Sequence, residues 1–217
     1  MAMKKIALFG GTGYVGSRLC ELLQERGYQV RMLVRDAEKS REYQQKEGIE
    51  VVEGELPDHE VIRQCLESTE AVLVATGQRG RSREEMQILV EGNRNIIKAM
   101  EDTGVKRLVK ISGTSVLLPG ESSPLMRRLL DIAFRLLLSN PTRCKYLEQE
   151  DILASSLDWV MVRPPAIVPK PVRGQFHAHE NLHLGMKVYR DDLCNFMIDQ
   201  IESDQWIKKC PVVGYGS

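Results

Sequence analysis

The chain has 217 residues, and its 30 lysines and arginines balance its 30 aspartates and glutamates, so its formal net charge is zero. We therefore expect no nucleic-acid partner and, because no run of about 18 apolar residues occurs, no membrane span. The five cysteines are widely spaced and form no Cys-x-x-Cys pair, which favours reduced thiols in a cytoplasmic protein over disulfides or a zinc site.

The first predicted elements surround a glycine-rich turn. The segment Lys5-Ile6-Ala7-Leu8 predicts a strand, and Gly10, Gly13 and Gly16 follow it in a Gly-x-x-Gly-x-x-Gly spacing. In this spacing the first glycine permits a sharp turn, and the second lets the backbone approach a pyrophosphate. The third lets the next helix pack closely on the strand.

A helix is predicted to run from this turn to Gly27. It directs free N–H groups and the positive end of its dipole at the turn, which favours an anion there. A second strand, Gln29 to Val34, completes a strand-helix-strand unit, so we expect a dinucleotide site rather than a plain turn. The residues of this turn and helix start that are assigned to cofactor binding are Gly10, Thr12, Gly13, Tyr14, Val15 and Gly16.

Arg35 follows directly on the second strand. An acidic residue there would bind the ribose hydroxyls of NAD, whereas an arginine can pair with the 2′-phosphate of NADP. We therefore expect NADP, reduced as NADPH, to be the cofactor, and an ordinary solvated arginine is the alternative. Asp36 is predicted to cap a helix from Ala37 to Glu47.

The next two strands are predicted to end at the remaining part of the cofactor site. Ile49 to Glu53 forms a third strand, and the backbone of Glu55 and Leu56 behind it suits the floor of an adenine pocket. The fourth strand, Ala71 to Ala75, continues into Thr76-Gly77. Since small residues let the chain pass close to a ligand, Ala75, Thr76 and Gly77 are assigned to the cofactor.

A loop and a long helix follow the fourth strand. Arg79, Arg81 and Arg83 in the loop have two interpretations: they clamp a phosphate or an acidic substrate, or they are merely solvated. The helix is predicted from Glu84 to Glu101, because its apolar residues recur at helical spacing.

The fifth strand, Arg107 to Ile111, ends at Ser112, whose hydroxyl is expected to face the ligand crevice. Farther on, Ser122 to Leu138 predicts a helix with apolar residues on more than one stripe. This surplus suits a homodimer interface, a substrate pocket or a place in the core, and all three stay open. Asn140-Pro141 begins another helix.

The last third of the chain completes the predicted fold. Asp158 to Arg163 forms the sixth strand, which Pro164-Pro165 ends, and residues 166–184 are predicted to be a long substrate-binding loop. A short strand near residues 186–189, a helix over 191–201 and a segment at 211–214 follow. We expect an α/β fold with a Rossmann-like, doubly wound parallel sheet in three layers. One domain covers residues 1–217, with substrate-side elements at about 113–140 and 166–190.

These residues resemble the atypical branch of the short-chain dehydrogenase/reductase superfamily. Within it they are similar to NAD(P)H-binding proteins of the biliverdin-IXβ reductase (flavin reductase) kind and, more distantly, to NmrA-like proteins. The resemblance covers nearly the whole chain. It is carried by Ile6-Ala7-Leu8-Phe9-Gly10-Gly11-Thr12-Gly13, Leu33-Val34-Arg35-Asp36, Glu91-Gly92-Asn93-Arg94-Asn95-Ile96-Ile97, Ser156-Leu157-Asp158-Trp159 and Arg163-Pro164-Pro165.

The resemblance implies that NADPH lies over the glycine turn with its 2′-phosphate on Arg35. It also implies that Thr76-Gly77, Ile111-Ser112 and Pro164-Pro165 lie along the length of the cofactor. The implied activity is hydride transfer to a flavin, a quinone or another small planar acceptor.

The main branch of the superfamily uses a Tyr-x-x-x-Lys pair after the fifth strand, and this chain lacks it. Tyr146 is followed four residues later by Glu150, which would raise the pKa of a nearby phenol. Tyr146 is therefore a weak acid or hydrogen-bond donor at the nicotinamide, or else a structural tyrosine. Without a dedicated acid, Ser112 is the favoured side chain near the reacting atoms.

His177, His179 and His183 lack a known zinc spacing, so we predict no metal and leave a proton donor or surface histidines as alternatives. The favoured function is an NADPH-dependent oxidoreductase. The alternative is a non-catalytic NADP(H) sensor of the NmrA-like kind, which the missing Tyr-x-x-x-Lys pair and the apolar helix favour. The absent acid and the short C-terminal part disfavour a sugar-nucleotide epimerase.

Overall fold

The computed structural model describes residues 4–77, 82–114, 141–180 and 185–216. The strands are β1 (Lys5–Phe9), β2 (Gln29–Val34), β3 (Ile49–Glu53), β4 (Ala71–Val74), β5 (Arg107–Ile111), β6 (Asp158–Val162), β7 (Ala166–Val168), β8 (Phe176–His179), β9 (Lys187–Tyr189) and β10 (Val212–Tyr215). The helices are α1 (Tyr14–Glu25), α2 (Ala37–Gln44), α3 (His59–Leu66), α4 (Arg83–Thr103), α5 (Pro141–Ala154) and α6 (Arg190–Asp199).

The central sheet has six parallel strands in the order β3-β2-β1-β4-β5-β6. Strands of this kind are covered on both faces, which explains why β4 is an apolar segment with every residue buried. The strand order reverses between β1 and β4, and ligands of open α/β sheets bind outside the carboxyl ends of the strands at such a point.

Helices cover both faces of the sheet. On one face, Leu19 and Leu23 of α1 and Leu193 of α6 belong to one buried cluster with strand residues such as Leu8 and Leu73. On the other face, a second cluster joins α3, α4 and α5 to the sheet through residues that include Ile62, Ile96 and Ile152. The predicted three-layer, Rossmann-like fold is therefore confirmed.

The segment from 166 to 184 was the main error in the predicted elements. Its described residues hold two short strands as well as loop: β7 pairs in parallel with β9, and β8 pairs antiparallel with β10. The cause is side-chain alternation, because Phe176 and Ala178 pack on the core while His177 and His179 are exposed. Smaller differences concern helix ends, such as α2, which stops at Gln44 rather than at Glu47.

The predicted helix from Ser122 to Leu138 lies outside the described residues, so its dimer, pocket and core interpretations stay predictions. Arg79 and Arg81 of the loop after β4 also lie outside them. Arg83 is the first residue of α4, which Ser82 caps by accepting a hydrogen bond from the Glu85 N–H at 3.1 Å. Across the parts of the chain that the structure describes, no helix is both long and apolar enough to cross a membrane.

All five cysteines are buried and unpaired with one another. Burial raises the pKa of the Cys65 and Cys194 thiols to about 12 and that of the Cys20 and Cys144 thiols to about 11. We therefore expect no alkylation by iodoacetamide in the folded protein at mildly alkaline pH, and complete alkylation after unfolding in guanidinium. Mass spectrometry of the intact chain counts the adducts, and a modified thiol in the folded protein would contradict the buried assignment.

Candidate functional site

The glycine turn packs directly against the end of β4. Gly10 has a φ of 81°, and the Gly13 N–H donates a hydrogen bond of 3.0 Å to the Gly10 carbonyl. A Cβ atom at Gly10 would lie 2.7 Å from the carbonyl carbon and oxygen of Ala75 and from the backbone nitrogen of Thr76. The turn thus needs glycine both for its conformation and for its approach to the neighbouring strand.

Helix α1 begins directly behind this turn. Gly13 is its N-cap, and no side chain caps the helix start. A Cβ atom at Gly16 would lie 2.0 Å from the Gly10 carbonyl oxygen, so close packing of α1 on the turn also requires glycine there. The first N–H groups of α1 therefore remain available to an anion, whose charge the helix dipole favours.

A cleft of about 570 Å³ opens above the turn, at the carboxyl ends of β1, β2 and β4. It is lined by Gly10, Thr12, Gly13, Tyr14, Val15, Leu33, Arg35, Gly54, Glu55, Leu56, Ala75, Thr76, Gly77, Glu85, Ile88 and Leu89. The structure thus brings together the whole predicted cofactor set between Gly10 and Gly77 except Gly16, which is buried in α1.

Arg35 and Asp36, at the end of β2, have different structural roles. The Asp36 carboxylate accepts hydrogen bonds from the N–H groups of Glu38 and Lys39 at 3.1 and 3.0 Å, and these bonds hold its pKa below the usual value. Its carboxylate is therefore engaged in capping α2. Arg35 is exposed and lines the cleft, where its guanidinium suits a phosphate.

One side of the cleft is built by Leu56 and by Glu85, Ile88 and Leu89 of α4. Asn95 on α4 donates hydrogen bonds to the carbonyls of Leu56 and Pro57 at 3.2 and 2.8 Å. Gly92 permits the approach of this loop, because a Cβ there would lie 2.5 Å from the Leu56 Cβ.

Five residues of the cleft were not predicted from the sequence: Leu33, Gly54, Glu85, Ile88 and Leu89. Of these, Ile88 and Leu89 could have been recognised from the sequence as cleft residues. Both are apolar, and both lie in the first two turns of the helix that follows the switch in strand order. Their residue types alone are equally typical of a core-facing stripe.

The predicted residues at the nicotinamide end lie at the ends of β5 and β6. The Ser112 N–H donates to the Val162 carbonyl at 2.8 Å, and the Thr114 N–H donates to the Pro164 carbonyl at 3.4 Å. Ile111, Ser112 and Pro165 are half-buried and Pro164 is buried. They share the ligand-binding edge of the sheet with the cleft, but the described residues that line the cleft do not include them. Their cofactor role stays a prediction.

Tyr146 lies on α5 and is 7% exposed. It is not among the described residues that line the cleft. Nearby in the sequence, Glu148 pairs with Lys110 of β5 through an Oε1–Nζ distance of 3.1 Å, and Lys110 is 3% exposed. This partly buried pair ties α5 to the sheet and engages the Lys110 ammonium. The catalytic role of Tyr146 stays a prediction.

The two late histidines that the structure describes, His177 and His179, are not among the residues that line the cleft. His177 and His179 are exposed on β8, and His183 lies outside the described residues. Within the described ranges, no group of three or more His, Cys, Asp and Glu side chains is arranged to hold a metal ion.

Comparison with known families gives one match over most of the chain. The family described as NAD(P)H-binding matches residues 10–204, from the glycine turn through α6. Two solved structures share the fold. A short-chain dehydrogenase/reductase from Veillonella parvula, in complex with NADP, has a TM-score of 0.76 and 18% identity, with 99% of this chain and 95% of that chain covered. ChuY from Escherichia coli, described as an anaerobillin reductase, has a TM-score of 0.77 and 18% identity, with 99% and 98% covered.

Three curated relatives match part of the chain. A 4-hydroxy-2-methyl-3-oxo-4-farnesyl-3,4-dihydroquinoline-1-oxide ketoreductase from Stigmatella aurantiaca is 30% identical over 55% of this chain and 38% of its own length. The NAD(P)H azoreductase of Xenophilus azovorans is 32% identical over 50% and 35%. The photosystem II assembly factor Ycf39 of Trieres chinensis is 30% identical over 51% and 35%. The chain therefore spans between 35% and 38% of the length of these relatives.

Proposed function

The chain belongs to the NAD(P)H-binding family, in the atypical short-chain dehydrogenase/reductase superfamily, and from this premise we propose that it is an NADPH-dependent reductase of a small planar acceptor. One observation carries the proposal: the uncapped start of α1 and the Arg35 side chain lie on the same cleft. A dinucleotide with a pyrophosphate and a 2′-phosphate matches both features.

When bound, the reduced cofactor supplies a hydride at its nicotinamide ring. The residues of this chain bind and orient the cofactor. The glycine turn and α1 would hold the pyrophosphate, Arg35 would hold the 2′-phosphate, and Leu56 with Ile88 and Leu89 would enclose the adenine. Ser112 would then lie near the reacting atoms, where its hydroxyl would orient the acceptor by a hydrogen bond. A flavin or quinone takes its proton from water, so no strong acid is required of the protein.

Steady-state oxidation of NADPH tests this proposal. The purified protein is mixed with NADPH and with FMN, FAD, quinones and azo dyes in turn, and the loss of nicotinamide absorbance is followed. We expect turnover with at least one acceptor, with NADPH preferred over NADH. Tight NADPH binding with no turnover across the panel would contradict the enzymatic proposal.

Ser112→Ala tests the assignment at the nicotinamide end. With the best acceptor, we expect kcat to fall by about 10-fold, because a positioned hydroxyl is lost, while the Kd for NADPH stays within about twofold. Tyr146→Phe is the matched comparison, since it also removes one hydroxyl. A larger fall in kcat for Tyr146→Phe than for Ser112→Ala would reverse the two assignments.

A second candidate function is an NADP(H) sensor that acts on a protein partner. It is supported by the missing Tyr-x-x-x-Lys pair and by the relative that is described as an assembly factor. A sensor of this kind would bind NADP and NADPH with equal affinity, lack turnover, and retain a co-purifying protein. Measured affinities for both redox forms, together with the turnover panel, separate the two functions.

A further inference from the structure

The start of α6 lies against the start of α1, where Arg190 contacts Tyr14; Tyr14 lines the cleft, and Arg190 stands behind it, outside the described lining. The guanidinium carbon of Arg190 is 4.8 Å from the centroid of the Tyr14 ring, and its Nη1 donates a hydrogen bond of 3.4 Å to the Tyr14 carbonyl. Tyr14 is 48% exposed, lines the cleft and is the first residue of α1. The Tyr14 ring thus holds a cation beside the helix terminus that receives the pyrophosphate.

The local ion pairs leave one donor of this guanidinium, Nε, without a hydrogen bond. Asp191 pairs through Oδ2 with Arg18 at 3.1 Å, and its Oδ1 is 3.6 Å from Arg190 Nε, beyond hydrogen-bond range. Among the described atoms, Nε of Arg190 is buried without a hydrogen-bond partner. Arg18, in contrast, also pairs with Glu21 and Glu25. Arg190 is therefore the less neutralised of the two arginines at this end of α1.

The charged side chains that line the cleft are mostly negative, so a bound dinucleotide would need a further cation. Of the lining side chains that the structure describes, Arg35 is cationic, whereas Glu55 and Glu85 are carboxylates. A pyrophosphate adds two negative charges and a 2′-phosphate adds more, and a helix N-terminus offsets only about half a charge. A second arginine near Tyr14 would reduce this excess of negative charge.

We propose that Arg190 binds the pyrophosphate of the dinucleotide, reaching it across the Tyr14 ring; this inference rests on the proposed dinucleotide function of the cleft. The two arginines then have different tasks. Arg35 recognises the 2′-phosphate, which distinguishes NADP from NAD, and Arg190 recognises the pyrophosphate, which both cofactors carry. The assignment also gives the late α6 segment a direct part in cofactor binding.

Arg190→Gln is the decisive variant, and Arg26→Gln is its matched control. Arg26 also links α1 to α6, through Asp199 at 2.6 Å and Asn195 at 2.7 Å, but at the end of α1 away from the cleft. By titration calorimetry, we expect Arg190→Gln to raise the Kd for both NADPH and NADH by about 10-fold. Arg190→Lys should recover part of the affinity, and Arg26→Gln should leave both Kd values unchanged.

A second measurement uses the unaltered protein, in case the variant does not fold. Phenylglyoxal modifies arginines, and peptide mass spectrometry gives the rate at each site. ADP-ribose carries the pyrophosphate and should slow modification of Arg190 by about 10-fold, as expected for a tightly bound guanidinium. Adenosine 2′-monophosphate lacks a pyrophosphate and should protect Arg35 but not Arg190.

Each outcome separates this inference from the proposed function. Unchanged dinucleotide affinity in Arg190→Gln, or equal modification of Arg190 with and without ADP-ribose, would overturn the role of Arg190 while leaving the cleft as a cofactor site. A loss confined to NADPH would place Arg190 at the 2′-phosphate and would also overturn it. Failure of the unaltered protein to bind any dinucleotide would instead overturn the proposed function.

Discussion

Gly10→Ala is expected to destabilise the protein by about 3 kcal/mol and to abolish detectable NADPH binding. A left-handed φ of 81° costs a residue with a Cβ about 1 kcal/mol, and the added atom would also meet the Ala75 carbonyl and the Thr76 nitrogen at 2.7 Å. Because these neighbours are backbone atoms, the clash is relieved only if the turn or β4 moves. Either movement displaces the N–H groups that are proposed to bind the pyrophosphate.

Gly27→Ala is the control for this effect. Gly27 has the same φ of 81°, but no atom lies within 4 Å of the position that its Cβ would occupy. We expect a cost of about 1 kcal/mol from conformation alone and no change in NADPH affinity. Denaturant unfolding measures both stabilities. Equal costs at the two glycines would show that the close approach to β4 contributes nothing.

Arg35→Ala is expected to raise the Kd for NADPH by about 10-fold to 100-fold while leaving the Kd for NADH nearly unchanged. The guanidinium lines the cleft directly after β2, and the neighbouring Asp36 carboxylate is engaged by the N–H groups of Glu38 and Lys39. Only the 2′-phosphate distinguishes the two cofactors, so the loss of affinity must appear as a change in the ratio of the Kd for NADPH to the Kd for NADH.

The matched control for this change is Arg41→Ala. Arg41 is an exposed arginine in the last turn of α2, outside the described lining of the cleft. It tests whether any loss of positive charge in this region weakens NADPH binding. An unchanged NADPH affinity in Arg35→Ala would remove Arg35 from the site, and an equal loss in both variants would indicate a diffuse electrostatic effect.

Local patterns predicted the central sheet and the glycine turn that lines the cleft. A strand, a glycine turn and a helix are adjacent in the chain, so the spacing of Gly10, Gly13 and Gly16 determines most of the geometry of the turn between β1 and α1. Buried parallel strands such as β4 are also recognisable, because both of their faces are apolar.

Contacts between distant segments could not be predicted in the same way. The pairing of β7 with β9 joins segments about twenty residues apart, and three-residue strands carry too little periodicity to recognise. Arg190 reaches Tyr14 across 176 positions of the chain, and nothing in its own neighbourhood indicates that partner. The cleft residues of α4 were missed for a related reason, since an apolar residue has the same type whether it faces a core or a ligand.

A structure of the protein with NADPH bound tests the central claim most directly. We predict the 2′-phosphate on the Arg35 guanidinium, the pyrophosphate at the first N–H groups of α1, and the nicotinamide within about 4 Å of Ser112. A dinucleotide bound outside the cleft above Gly10, or one whose 2′-phosphate lies away from Arg35, would contradict the proposed function.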